Sequence, residues 1–158
     1  MSTSLTDTAL LVAAVSAGLS GGMVLAFSNF IMRALNRLEH DEAIRAMQSI
    51  NETVLNPLFL AVFIGLGVMM LAIAVVCVAL DGWSPHRWLV AGASLYFVGV
   101  VAVTAARNVP LNEGLASVHS ASASAETWAT YSARWTQWNH VRSVAATAAS
   151  AAFILART

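Results

Sequence analysis

The sequence predicts an all-α fold, a four-transmembrane-helix bundle, on three observations. Of its 158 residues, 58% are hydrophobic and only 10% charged, a balance unlike that of a soluble domain. Uncharged runs extend over 25 residues from Thr8 to Met32, 28 from Thr53 to Leu80 and 19 from Trp88 to Ala106. Each suffices, at roughly 1.5 Å per residue, to cross a hydrocarbon core of about 30 Å as a helix. A fourth run, Ser143 to Ala156, has 14 residues and reaches spanning length only if Trp138 through Arg142 are counted with it. The expectation is a single domain over residues 1–158, with spans at about 8–32, 54–80, 88–106 and 138–156, an amphipathic helical connector between the first and second and a long connector between the third and fourth.

The first span follows Asp7 rather than a positive n-region and is longer than a signal-peptide core, so it is expected to be retained. Its "AGLSGG" places Gly18 and Gly22 in a small-xxx-small packing face. Asn29 and Arg33, four apart, project together toward the end of the helix, and Asn36 and Arg37 continue that face. The connector from Arg33 to Glu52 carries Leu35, Leu38, Ile44, Met47 and Ile50 at near-helical spacing. It is expected to prolong the first helix, break near His40 and Asp41, and lie as an amphipathic helix against the bundle end. Cys77, the single cysteine, falls in the middle of the second span, where no intramolecular disulfide is available and a small apolar filler is the expected role. After the short connector "DGWSPHR", the third span runs into "RNVPLN". There Pro110 is expected to stop the helix, with Asn108 and Asn112 as turn or cap formers. The long connector, Arg107 to about Gln137, includes the flexible-looking "SVHSASASAE".

Four spans put the first and third connectors on one membrane face. Six of the eight basic residues (Arg33, Arg37, Arg45, Arg107, Arg134, Arg142) belong to that face, against Arg87 and Arg157 on the other. By the positive-inside tendency these connectors are cytoplasmic, in a protein expected in the plasma (inner) membrane. Zero net charge and the lack of a basic tract argue against a nucleic-acid partner. The partners expected are a hydrophobic small molecule and membrane lipid, and a homo-oligomer is compatible with the sequence.

Asn29, Arg33, Asn51, Asn56, Arg107, Asn108, Asn112, Asn139, His140 and Arg142 all map to one end of this bundle. Such enrichment suits a polar pocket at the bundle mouth; the competing reading is a set of interfacial anchors and helix caps. Trp128, Tyr131, Trp135, Trp138 and Arg142 recur at alternating steps of three and four and line one helical stripe. That stripe is either a wall for a flat aromatic ligand, with Arg142 on an anionic oxygen, or an aromatic belt with a snorkelling arginine. Asn139 lies about 60° around the helix from Arg142, whereas His140 lies about 160° away, so a continuous helix does not aim His140 and Arg142 at one atom. His140 then joins Thr136, Ser143 and Thr147 in a stripe suited to a helix interface; if the helix begins only near His140, the histidine is available as a general base. His40, His86, His119 and His140 are scattered, with no HxxH or ExxH spacing, so no metal site is expected. A phosphate-binding loop, a haem motif and a serine elbow are also missing from the sequence.

The segments "MRALNRL…AIRAMQSINETVLNPLFL", "RNVPLNEGL" and "WATYSARWTQWNHVRS" together resemble the anthrone oxygenase-like family of small four-helix membrane proteins, over nearly the whole chain. The resemblance implies oxidation of an anthrone at its central methylene to an anthraquinone, with no metal or flavin cofactor. It singles out Asn108, Asn112, Trp138, Asn139, His140 and Arg142. In the scheme it implies, His140 is the base and Arg142 or Arg107 holds the oxyanion. Asn108, Asn112 and Asn139 orient the substrate, and Trp135 and Trp138 clamp its rings; from their position at the same end of the bundle, and not from the resemblance, Asn29 and Arg33 are added as substrate-binding residues. The rival reading is a non-catalytic membrane module that binds a lipid or quinone, or a subunit that docks a partner protein. A small transporter is disfavoured because no charge lies deep in the second or third span.

Overall fold

The computed structural model describes residues 3–119 and 124–157. Among them there is no strand, and the chain forms five helices: α1 (3–35), α2 (His40–Thr53), α3 (Pro57–Asp81), α4 (Ser84–Ala116) and α5 (Ala125–Leu155). Within α1, the stretch Thr6–Leu35, together with α3 and α4, is long and apolar enough to cross a membrane, which fits an integral membrane protein. α5 is a continuous helix of 31 residues but is less apolar, because its first half carries Glu126, Arg134 and Gln137.

Local chemistry sets the helix boundaries. Asn56 caps α3 by accepting a hydrogen bond from Phe59 N at 3.0 Å, with Pro57 in the first helical position. Gly82, at φ 83°, closes the same helix by donating its N–H to Val78 O. Ser124 caps α5 by accepting from Thr127 N. α2 is the expected amphipathic connector: it follows a break after Leu35, starts with Asp41 and Glu42 in its first turn, and buries Ala43, Ile44 and Met47. These pack with Leu115 of α4 and with Trp128, Tyr131 and Trp135 of α5. Gln48 ties the corner by donating to the carbonyls of Leu115 (2.8 Å) and Val118 (3.0 Å) around the end of α4.

The other end of the bundle is built on small residues. Ala13, Ala17 and Gly21 of α1 meet Ala146 and Ala149 of α5, so helix backbones approach closely where lipid gives no hydrophobic driving force. Of the expected Gly18/Gly22 face, Gly18 does pack on α5, where its Cβ would stand 3.4 Å from Ser150 Oγ, but a Cβ on Gly22 would meet nothing, and Gly21 takes its place, 3.2 Å from Ala146 Cβ. α4 uses the same device, with Gly92 against the ring of Phe153 and Gly99 against Ala145. Tyr96 fills the space between and donates to Ser20 Oγ at 2.9 Å.

Pro110 does not stop the third long helix. α4 runs past it to Ala116, so the connector expected from Arg107 to Gln137 shrinks to 117–124, of which 120–123 lie outside the described residues and carry part of the stretch read as flexible. In an α-helix the proline ring would strike the carbonyl four residues back. Here that carbonyl belongs to the wide π-turn Thr104–Asn108, in which Val109 N donates to Thr104 O, and the wider turn removes the clash.

Candidate active site

Where α2 folds over the bundle end, the five helices and the α2–α3 corner enclose a cavity of about 400 Å³. Val24 and Phe27 of α1, Met47 and Asn51 of α2, and Phe59 and Phe63 of α3 line it. So do Thr104, Asn108 and Asn112 of α4, and Trp135, Asn139 and Arg142 of α5. Phe27, Phe63, Thr104 and Asn108 all sit in π-helical stretches, at Phe27–Ile31, Ala61–Gly65 and Thr104–Asn108. A π-turn inserts an extra residue and rotates the remainder of its helix, and three of the helices use one to turn residues into this space.

Arg142 is the charge at the centre. It is 6% exposed, Nη1 donates to Thr104 Oγ1 at 3.2 Å, and Nη2 donates to Asn139 Oδ1. Its guanidinium carbon lies 5.3 Å from the centroid of the Trp135 ring. The ion pairs among the described residues, Arg45–Asp41 and His86–Asp81, lie elsewhere. Arg142 is thus held by neutral oxygens and an aromatic face, and its Nε, also buried, has no hydrogen-bond partner. A buried cation without a counter-ion is costly, and it supplies a strong field for any anionic oxygen that enters.

Asparagines build the rest of the polar wall. Asn139, fully buried, donates from Nδ2 to Val24 O at 2.6 Å and to Ser28 Oγ while its Oδ1 takes the Arg142 bond. It therefore fixes the guanidinium to α1. Asn112 Oδ1 accepts from Tyr131 Oη and from Trp135 Nε1, both at 2.9 Å. Asn108, 1% exposed, donates from Nδ2 to Trp135 O at 3.4 Å, leaving Oδ1 unpartnered. Asn51 Nδ2 faces the Tyr131 hydroxyl as a weak donor, outside full hydrogen-bond geometry.

Residues 58–152, more than half of the chain, match the family model for anthrone oxygenase. The chain belongs to the anthrone oxygenase family. No curated protein and no solved structure matches it. The matched stretch contains Asn108, Asn112, Trp135, Asn139 and Arg142, while the α1 and α2 walls of the cavity lie outside it.

In this anthrone oxygenase family member, the residues singled out from sequence divide. Asn108, Asn112, Trp135, Asn139 and Arg142 converge on the cavity. His140 does not. α5 is continuous through it, so His140 is exposed in a shallow groove with Asn36, Trp128 and Ser132, on a face that Arg142 does not share. Nor is it a buried interface histidine. Arg107 is exposed and stacks 4.8 Å over the half-buried Trp138 on the outer surface; neither lines the cavity. Asn29 and Arg33 are exposed as well, Asn29 within the π-turn of α1; Ser28 is the buried residue there and faces Asn139. Asn36, not proposed as a site residue, accepts from Trp128 Nε1 and Ser132 Oγ. Thr104 and Asn51 are the additions that sequence reading did not select as site residues. Asn51 carried a signal, being one of the polar residues at that end, whereas Thr104 carried none. Among the described residues no group of three His, Cys, Asp or Glu side chains is arranged to hold a metal.

Proposed function

We propose that this protein is a membrane-embedded oxygenase or oxidase acting on a hydrophobic, anthrone-like phenolic compound, with dioxygen as the oxidant. The observation that carries this reading is Arg142, a buried cation without an ion-pair partner in the wall of a cavity that sets aromatic and apolar side chains beside a cluster of asparagines. A flat tricyclic ring system packs against Trp135, Phe27 and Phe63, and its oxygen is drawn to Arg142. Loss of a proton from the ring system leaves an enolate whose charge rests on that oxygen, which Arg142 stabilises. With His140 outside, the proton acceptors lining the cavity are the carboxylates of Glu52 and Glu113. The electron-rich enolate reduces dioxygen and forms a carbon–oxygen bond at the former methylene, giving a hydroperoxide. Loss of water then leaves a second carbonyl. The balance is one methylene and one O2 in, one ketone and one H2O out, with no further electron donor.

In the same reading α5 is the fourth crossing, the protein resides in the plasma (inner) membrane, and α2 and the α4–α5 connector face the cytoplasm. Burial of Arg142 among protein groups supports a charged residue within that crossing. The test is oxygen uptake by detergent-purified protein supplied with anthrone. Uptake well above the uncatalysed rate is expected. Binding of anthrone with no uptake would identify a binding module instead, and neither binding nor uptake would end the proposal.

A further inference from the structure

Among the described residues, three buried side-chain atoms have no hydrogen-bond partner: Asn51 Nδ2, Asn108 Oδ1 and Arg142 Nε. All three belong to residues that line the active-site cavity. Two are donors, and one, Asn108 Oδ1, is an acceptor. The orientation of the Asn108 amide is fixed by its surroundings, because Nδ2 faces the carbonyl oxygen of Trp135 and the flipped amide would set oxygen against oxygen. An acceptor so completely buried is expensive to leave unmatched. A ligand held at this wall satisfies both residues by bringing a hydrogen-bond donor to Asn108 as well as an oxygen to Arg142.

We propose that Asn108 is a specificity-determining residue that selects a hydroxyarene, the enol tautomer of an anthrone-like ketone, over the ketone itself. A hydroxyl answers both atoms: its oxygen accepts from Arg142 Nε and its hydrogen goes to Asn108 Oδ1. A ketone, a quinone or an acyl chain offers Asn108 nothing. The two groups share one wall, since Arg142 Nη1 is bonded to Thr104, one turn before Asn108 on α4, and both residues contact Trp135. This inference rests on the oxygenase reading and refines it. In the enol, the proton that the ketone carries on its methylene carbon sits on oxygen, so the proton to be lost in the cavity is an O–H proton beside Arg142.

The test uses the full-length protein in detergent and two fluorescent, non-reacting probes, 2-hydroxyanthracene and 2-methoxyanthracene, which differ in the hydroxyl hydrogen. The expected result is binding of the hydroxy compound at least about tenfold tighter, a preference that falls toward one in Asn108→Leu and survives in Asn108→Asp, which keeps an acceptor. Equal binding of the two probes by the unaltered protein, a measurement that needs no variant, would overturn the proposal. So would a preference that persists undiminished in folded Asn108→Leu. If the unaltered protein shows equal binding but still takes up oxygen with anthrone, the oxygenase reading stands and only the role of Asn108 falls. If neither probe binds and anthrone gives no uptake, both fall.

Discussion

The two ends of this bundle are held together by opposite means. At one, Ala13, Ala17 and Gly21 of α1 close on Ala146 and Ala149 of α5, and Gly92 and Gly99 of α4 take Phe153 and Ala145. Contact is tight and the packing mostly apolar. At the other, the same helices part around a cavity of about 400 Å³, widen into π-turns, and leave three buried polar atoms without partners. The close-packed end holds the helices so that the open end can keep a charge out of water. Stability and function are thereby assigned to different parts of the same two helices, α4 and α5, and substitutions should separate them.

The largest effect is expected at Arg142. Arg142→Leu removes the only buried positive charge among the cavity-lining residues, and loss of a group that stabilises an oxyanion typically lowers turnover by about 10²–10³-fold. Thermal stability in detergent should hold or rise, because an unpaired buried charge is removed with it. A lower melting temperature with unchanged oxygen uptake would reverse the assignment of the two ends.

Asn139 is where the two ends meet, so Asn139→Ala should lower both quantities. It deletes the bonds to Val24 O, Ser28 Oγ and Arg142, at a cost of about 1–3 kcal/mol for the groups left unsatisfied. It also frees the guanidinium, so turnover should fall by about tenfold, the equivalent of roughly 1.4 kcal/mol in the barrier. A change in melting temperature alone would reduce Asn139 to a structural tie.

Gly99→Ala is expected to act on stability only. A Cβ there would collide with that of Ala145, and overpacking typically costs about 1–3 kcal/mol. The double variant Gly99→Ala with Ala145→Gly should recover the melting temperature. Turnover per folded molecule should stay at its original value throughout.

Legibility in the sequence splits along a similar line. Three apolar spans, the amphipathic α2 and the Ser143–Ala156 stretch as part of a helix were readable because length and period are properties of the chain itself. On the straight helix α5, rotation at about 100° per residue correctly separated His140 from Arg142 and grouped Asn139 with Arg142. The reading failed where helices are not straight. The π-turn before Pro110 let α4 continue, so Asn108 and Asn112, expected in a turn, became neighbours on one helical face. Another π-turn buried Ser28 while Asn29 and Arg33 remained outside. A π-turn leaves no mark in the apolar spacing from which spans and faces are read. The resemblance carried His140 over with Asn139 and Arg142 as residues of the motif "WNHVR", whereas on the continuous α5 it stands on a different face from those two.

His140→Gln carries the smallest expected effect and decides the most about α5. The histidine is exposed beside Asn36, Trp128 and Ser132, makes none of the bonds that hold Arg142, and lies off the cavity. Surface changes of this kind usually alter stability by less than about 0.5 kcal/mol. Turnover with anthrone should also be unchanged. If His140 were the base, the variant would be inactive. That result would require α5 to break near His140 during catalysis, turning the histidine inward against the continuous helix. A flat response in both measurements places proton removal with the cavity's own groups, and leaves Arg142 and the asparagines around it as the chemistry of the open end.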